Sequence, residues 1–209
     1  MTKYLLWLTF SYLFASIPNG YLITKWVARK DIRKIGKEKL SGSNVIQNIG
    51  FLPGVISGVF DILKGILAVW GASRLGFPES VQVVAGVFAL CGQMWPIFLK
   101  FWGGRGGSVC AGTILILSPK IFTISVVIWI LSKIFSKEMG AAVGMTLFCV
   151  STIILGFYFL ARPVVMFALP AFVLILLQRL LGRPGSLAKI KDKKIILWRL
   201  TLDRDTKEP

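Results

Sequence analysis

Histidine is absent from the 209 residues, which excludes imidazole as a general base and as a metal ligand. Acids are scarce, nine Asp and Glu against 25 Lys and Arg, for a formal charge of +16. Asp61 alone among them falls inside an apolar run, and those at the C-terminus alternate with Lys and Arg, so no paired catalytic carboxylates are available. Cys91, Cys110 and Cys149 lie in apolar surroundings without disulfide or metal spacing and read as small buried hydrophobes. No metal site and no cofactor is expected from this inventory. Internal repeats and low-complexity linkers are also missing.

What the chain has in excess is apolar surface. Hydrophobic residues make up 55% and the mean hydropathy is +0.73, with 15 Phe and seven Trp, more than one soluble core of this length would bury. Apolar runs recur, separated by a few polar residues, as expected of a polytopic membrane protein. The N-terminal run is read as a span and not a cleaved signal peptide, because it passes through Pro18-Asn19-Gly20 without a small-residue cleavage site. The expected spans cover residues 4–24, 51–72, 81–101, 108–118, 121–131, 139–160 and 163–181.

The segments 108–118 and 121–131 are each about 17 Å long as helices, short of the ~30 Å hydrocarbon core, and Ser118-Pro119-Lys120 separates them. They form either one kinked span or a hairpin of two short ones. Charge arbitrates, since Lys and Arg of short loops stay on the cytoplasmic side. With a hairpin, 20 basic residues lie inside against four outside, Lys3, Arg74, Lys120 and Arg162. The expected fold class is therefore an all-α integral membrane bundle of about seven transmembrane helices, two of them short, with the N-terminus out and the C-terminus in. Residues 1–183 form the membrane domain and 184–209 a basic cytoplasmic tail attracted to anionic lipid. This distribution explains the positive charge without nucleic acid.

Three polar features interrupt the apolar pattern. Asp61 and Lys64 share a helix face at i, i+3 within the second span, where charge is expensive, and read equally as a structural ion pair or as part of a polar substrate site. Gly103-Gly104-Arg105-Gly106-Gly107-Ser108 leads into the first short span. Glycines let successive N–H groups face one point, Arg105 adds a fork of donors, and a helix start follows, a set that suits phosphate. Lys100 stands just before it. Glycines also mark ordinary tight turns. Ser41-Gly42-Ser43-Asn44 stands where the chain re-enters the membrane, so that Ser43 or Asn44 caps the second span or contributes to the same polar site. Gly54/Gly58 and Gly140/Gly144 allow close helix approach.

These residues resemble the PlsY family of bacterial acyl-phosphate-dependent glycerol-3-phosphate acyltransferases. The markers are Ser16-Ile17-Pro18-Asn19-Gly20, Asp31-Ile32-Arg33-Lys34, Ser43-Asn44-Val45, Asp61-Ile62-Leu63-Lys64-Gly65 and the block from Gly92 to Gly106. The resemblance implies a seven-span inner-membrane enzyme without metal that moves a fatty acyl group from acyl phosphate to the 1-hydroxyl of glycerol 3-phosphate, giving lysophosphatidic acid. It makes Ser43 and Asn44 catalytic candidates. It makes Gly103, Gly104, Arg105, Gly106, Ser108, Lys100, Lys64 and Asp61 candidates for holding substrate phosphate. Departures from the pattern accompany it: Gln93 stands for the usual His, Trp102 and Arg105 for Lys, Gln47 for Arg, and the C-terminal His and Asn positions are lost. Two readings follow, an acyltransferase with a remodelled site, or a silent paralogue that binds lipid or phosphate or regulates a true acyltransferase.

Overall fold

The computed structural model describes residues 1–36, 39–135 and 140–181. Among these residues the secondary structure is nine α-helices and two short 3-10 turns. The chain divides into two compact units, Met1–Ile116 and Leu117–Pro209.

In the first unit, α1 (Thr2–Ala15) and α2 (Asn19–Ala28) replace the single expected span 4–24. Pro18 is the cause: it has no N–H to donate and disfavours the helical region at Ile17, so the helix ends and restarts. A 3-10 turn, Ile32–Lys34, follows. The short α3 (Gly42–Asn48) begins at Ser41, whose side chain accepts from the Asn44 N–H at 3.3 Å. Neither Ser43 nor Asn44 therefore caps the second span; both lie within α3, and α4 (Phe51–Arg74) starts separately after Gly50. In the expected third span α5 (Glu79–Met94) stops before Pro96 and a 3-10 turn, Ile97–Leu99, continues the helical segment to residue 99. The unit closes with α6 (Gly107–Leu117).

Packing of this unit relies on missing side chains. A Cβ on Gly65 would strike the Val109 carbonyl oxygen and one on Gly112 the Ile62 carbonyl oxygen, so α4 and α6 touch backbone to backbone. Gly92 likewise admits the Tyr12 carbonyl between α1 and α5. Trp7 lies over Gly71 and its indole N–H donates to the Ala68 carbonyl at 3.0 Å. Gly54 faces Gly42 and Ile46, which puts the expected close approach against α3.

The second unit holds α7 (Pro119–Phe135), α8 (Gly140–Tyr158) and α9 (Arg162–Leu181), with α8 packed against both neighbours. Its buried hydroxyls stay close to their own helices: Thr152 donates to Phe148 O at 2.7 Å and bonds Ser125 Oγ across to α7 at 3.0 Å. Arg179, buried near the end of α9, donates to Thr146 at 2.9 Å. The boundary at 183/184, the tail beyond it, Lys37 and Lys137 fall outside the described residues.

Residues 51–74, 79–99 and 162–181 are helical segments long and apolar enough to cross a bilayer, and 107–117, 119–132 and 143–158 are shorter apolar helices. The two short segments are thus separate helices, divided at Ser118.

Candidate functional site

Lys64 is 2% exposed, in the middle of α4, yet its ammonium is fully coordinated. It donates to the Ile17 carbonyl at 2.6 Å, to Asp61 Oδ1 at 2.9 Å and to Gln93 Oε1 at 2.6 Å. An ammonium has three N–H bonds, so this set uses all of them. Each acceptor has a structural origin. Ile17 offers a carbonyl at the break that Pro18 makes in the first helix, Asp61 lies one turn away on α4, and Gln93 sits in the last turn of α5. Asn19 Nδ2 adds a long hydrogen bond to Asp61 Oδ1, 3.4 Å. The pair thus ties three helical segments together at one buried point, where opposite charge and full hydrogen bonding offset the loss of hydration.

The glycine loop is built onto the end of α5. Carbonyls of a helix's last turn have no partner inside the helix, and the Gly104 N–H comes back to satisfy that of Gln93 at 3.0 Å. Gly103 lies where a Cβ would overlap the Gln93 and Met94 carbonyl oxygens, and Gly106 has φ +74 against the Leu90 and Met94 side chains. Arg105 follows half-buried, its Nε shielded from solvent, and Ser108 stands in the first turn of α6. Lys100 is exposed on the preceding turn, with φ 53.

The first loop meets this glycine loop. A Cβ on Gly104 would sit 3.6 Å from the Leu40 carbonyl oxygen, and Leu99 packs on the cluster of Ile32, Leu40 and Val45. Arg33 lies against two rings, 5.0 Å from the Tyr21 centroid and 5.5 Å from that of Trp102, the residue just before the glycines. Asp31 holds the guanidinium from the far side through two parallel hydrogen bonds, Nε to Oδ1 at 3.0 Å and Nη2 to Oδ2 at 2.7 Å. The Arg33 side chain keeps the Asp31 carboxyl below its ordinary range.

Asn44 is fully buried and works as a staple: its amide nitrogen lies 3.0 Å from Lys39 O and 3.2 Å from Ile35 O, and its Oδ1 accepts from Asn48. Ser43 is exposed, with its Oγ 3.1 Å from that of Ser41. The structure therefore brings the glycine loop beside Leu40, next to the start of α3, and links it through Gln93 to Asp61 and Lys64. Gln93, Asn19, Arg33 and Ser41, though they stand within the stretches read from the sequence, were not among the candidate catalytic or phosphate-holding residues. Two of them had a signal: Asn19 and Gln93 are amides in apolar runs, each within three residues of a proline.

Comparison with known proteins identifies the family. The family model described as glycerol-3-phosphate acyltransferase matches residues 5–182. The chain belongs to that family. Glycerol-3-phosphate acyltransferase 2 of Moorella thermoacetica is 36% identical over 137 residues, 66% of this chain and 70% of that protein. Glycerol-3-phosphate acyltransferase 4 of Dehalococcoides mccartyi is 30% identical over 207 residues, 97% of this chain and 89% of that one. The crystal structure of PlsY, an integral membrane glycerol 3-phosphate acyltransferase, in its glycerol 3-phosphate form, superposes with a TM-score of 0.78 at 25% identity, covering 91% of this chain and all of that one. The resemblance to PlsY read from the sequence is thereby borne out, and the chain is a multi-pass membrane protein of a bacterial family.

Proposed function

We propose that this protein transfers a fatty acyl group from an acyl phosphate to the 1-hydroxyl of glycerol 3-phosphate, releasing inorganic phosphate and lysophosphatidic acid. The observation that carries the reading is the glycine loop Gly103–Gly106 with Arg105, anchored on the end of α5, in a chain of the glycerol-3-phosphate acyltransferase family. The substrate hydroxyl oxygen forms a bond to the acyl carbon, the bond from that carbon to the phosphate oxygen breaks, and the hydroxyl proton leaves with the phosphate or to solvent. The mixed anhydride is already activated, so positioning and stabilisation of developing negative charge provide the rate. Arg105, the loop N–H groups and Ser108 at the start of α6 hold phosphate, with Lys100 adding positive charge at the entrance. Ser43 offers a hydroxyl at the site, while Asn44 and the Asp61–Lys64 pair hold the framework on which the loops stand. The uneven spread of Lys and Arg supports loops that face the cytoplasm and an N-terminus outside, and the family resemblance implies the inner membrane.

The test supplies purified protein in lipid nanodiscs with acyl phosphate and labelled glycerol 3-phosphate, beside an active family member. Lysophosphatidic acid and phosphate are expected in equal amounts, and none when acyl-CoA replaces acyl phosphate. Arg105→Ala is expected to raise KM for a phosphate-bearing substrate roughly ten- to hundredfold, the effect of a lost charge-assisted hydrogen bond. No product from acyl phosphate while the control turns over would overturn the reading.

A further inference from the structure

Residue 93 is bonded twice, once through its side chain to the buried ion pair and once through its main chain to the glycine loop. The side-chain oxygen takes one of the three Lys64 protons at 2.6 Å, and the main-chain oxygen takes the Gly104 N–H at 3.0 Å. Gln93 is 9% exposed, so neither bond has water as a ready substitute. Its neighbourhood leaves little freedom to the loop it holds: Gly103 is wedged where any Cβ would overlap the Gln93 and Met94 carbonyls, and a Cβ at Gly104 would lie 3.5 Å from Gln93 Nε2. Beyond the loop, Tyr12 donates to the Trp95 carbonyl at 2.8 Å, anchoring the segment between α5 and the glycines to α1.

We propose that Gln93 is a positioning residue, one that sets the glycine loop at its working height by clamping Lys64 with its side chain and Gly104 with its main chain. The chain of contacts runs Asp61, Lys64, Gln93, Gly104, all through hydrogen bonds. The ammonium fixes the torsion angles of Gln93, the fixed torsion angles fix the direction of its carbonyl, and the carbonyl fixes the amide that precedes Arg105. Lys64 thus acts on phosphate at second hand, through the loop, with its own protons directed at Ile17, Asp61 and Gln93. This inference deepens the acyltransferase reading and rests on it for the kinetic consequence alone; the physical link between residues 93 and 104 stands apart from the reaction.

Deuterium exchange of the peptide spanning residues 100–107, measured in nanodiscs, reads the link without any turnover. Gln93→Leu keeps the volume and removes the acceptor, and is expected to speed exchange in that peptide roughly tenfold or more. Gln93→His keeps an acceptor and is expected to restore slow exchange. In a Lys64→Met background, Gln93→Leu is expected to add nothing further, because the side-chain clamp is already gone. Unchanged exchange in Gln93→Leu, failure of His to rescue, additive effects in the double variant, or faster exchange spread evenly over α4 and α5 would each overturn the proposal, the last in favour of simple packing. Kinetics supply the second readout: KM for glycerol 3-phosphate or acyl phosphate rises about tenfold in Gln93→Leu while kcat stays within about threefold, the signature of lost uniform binding. A wild-type protein that transfers no acyl group defeats the acyltransferase reading, and the exchange data still decide the role of Gln93.

Discussion

Close backbone contact at glycine is common in the first unit, where Gly36, Gly71 and Gly106 nonetheless face side chains, and differs from what the glycines of the second unit meet. In Met1–Ile116 the positions of Gly42, Gly54, Gly65, Gly92, Gly103 and Gly112 each leave room for a neighbour's carbonyl oxygen. In the second unit Gly144 faces the Ser132 hydroxyl and the Trp129 ring, and Gly156 faces Val165 and Val164, mainly side chains. Backbone contact is less forgiving than side-chain contact, because a carbonyl held in a helix cannot rotate out of the way while a side chain can change rotamer. The first unit also buries an ion pair in the middle of a spanning helix, Asp61 and Lys64, whereas the second buries Arg179 near the end of α9. Rigid backbone packing and a buried ion pair go together there: helices that touch this closely hold the acceptors of Lys64 within tenths of an ångström, which a charged group away from water requires.

Breaking that comparison should hurt the first unit most where charge is stranded. Asp61→Ala leaves the Lys64 ammonium buried without its counter-charge, and thermal unfolding in detergent is expected to show a loss of about 3–5 kcal/mol. The double change Asp61→Leu with Lys64→Met should lose much less, because no charge remains to strand. Gly112→Ala puts a Cβ against the Ile62 carbonyl oxygen and should destabilise by about 1–3 kcal/mol. Gly144→Ala in the second unit meets Ser132 Oγ at 2.8 Å and Trp129 Cδ1 at 3.0 Å, side-chain atoms that move aside, and should lose clearly less in the same assay. Equal losses at the two glycines would show that the contrast between backbone and side-chain packing is wrong.

Smaller effects sharpen the picture at the loop and in the second unit. Asp31→Asn weakens the clamp on Arg33, a partly exposed pair worth at most about 1 kcal/mol. Because Arg33 holds the Asp31 carboxyl below its ordinary 3.8, this contribution is complete above that pH and fades as acid titrates the folded-state group below it. The wild type should therefore lose loop protection in deuterium exchange as the pH falls below 3.8, while Asp31→Asn shows a smaller change. Thr152→Val removes one hydrogen bond between α8 and α7 and should cost about 0.6 kcal/mol, the usual worth of such bonds between membrane helices. A large loss there would mean that the second unit depends on polar contacts as the first does.

Much of the helical plan was readable in advance. The spans at 51–72, 108–118, 139–160 and 163–181 agree with α4, α6, α8 and α9 to within three residues, because long apolar runs in this chain are bounded by glycine, proline or charge. The errors sit at prolines inside apolar stretches. Pro18 broke the first expected span into α1 and α2, and Pro96 turned the end of the third from α-helix into a 3-10 turn. Hydropathy continues across both places, and it carries no information about a missing N–H. The site was legible in part: Asp61, Lys64 and Gly103–Gly106 announce themselves as charge and glycine in an apolar setting. Gln93 and Asn19 were harder to see, since an uncharged amide near a helix end looks like any cap.

The sequence by itself determined that this is a helical membrane protein of the PlsY kind, because apolar run length, the placement of Lys and Arg and a glycine block are local or additive properties of the chain. Only the tertiary structure decided which groups the buried ion pair meets. The acceptors of Lys64 depended on where the Ile17 carbonyl and the Gln93 amide came to lie, 47 and 29 residues away along the chain. Separations of that length are closed by helix packing, and no local pattern of residues encodes them.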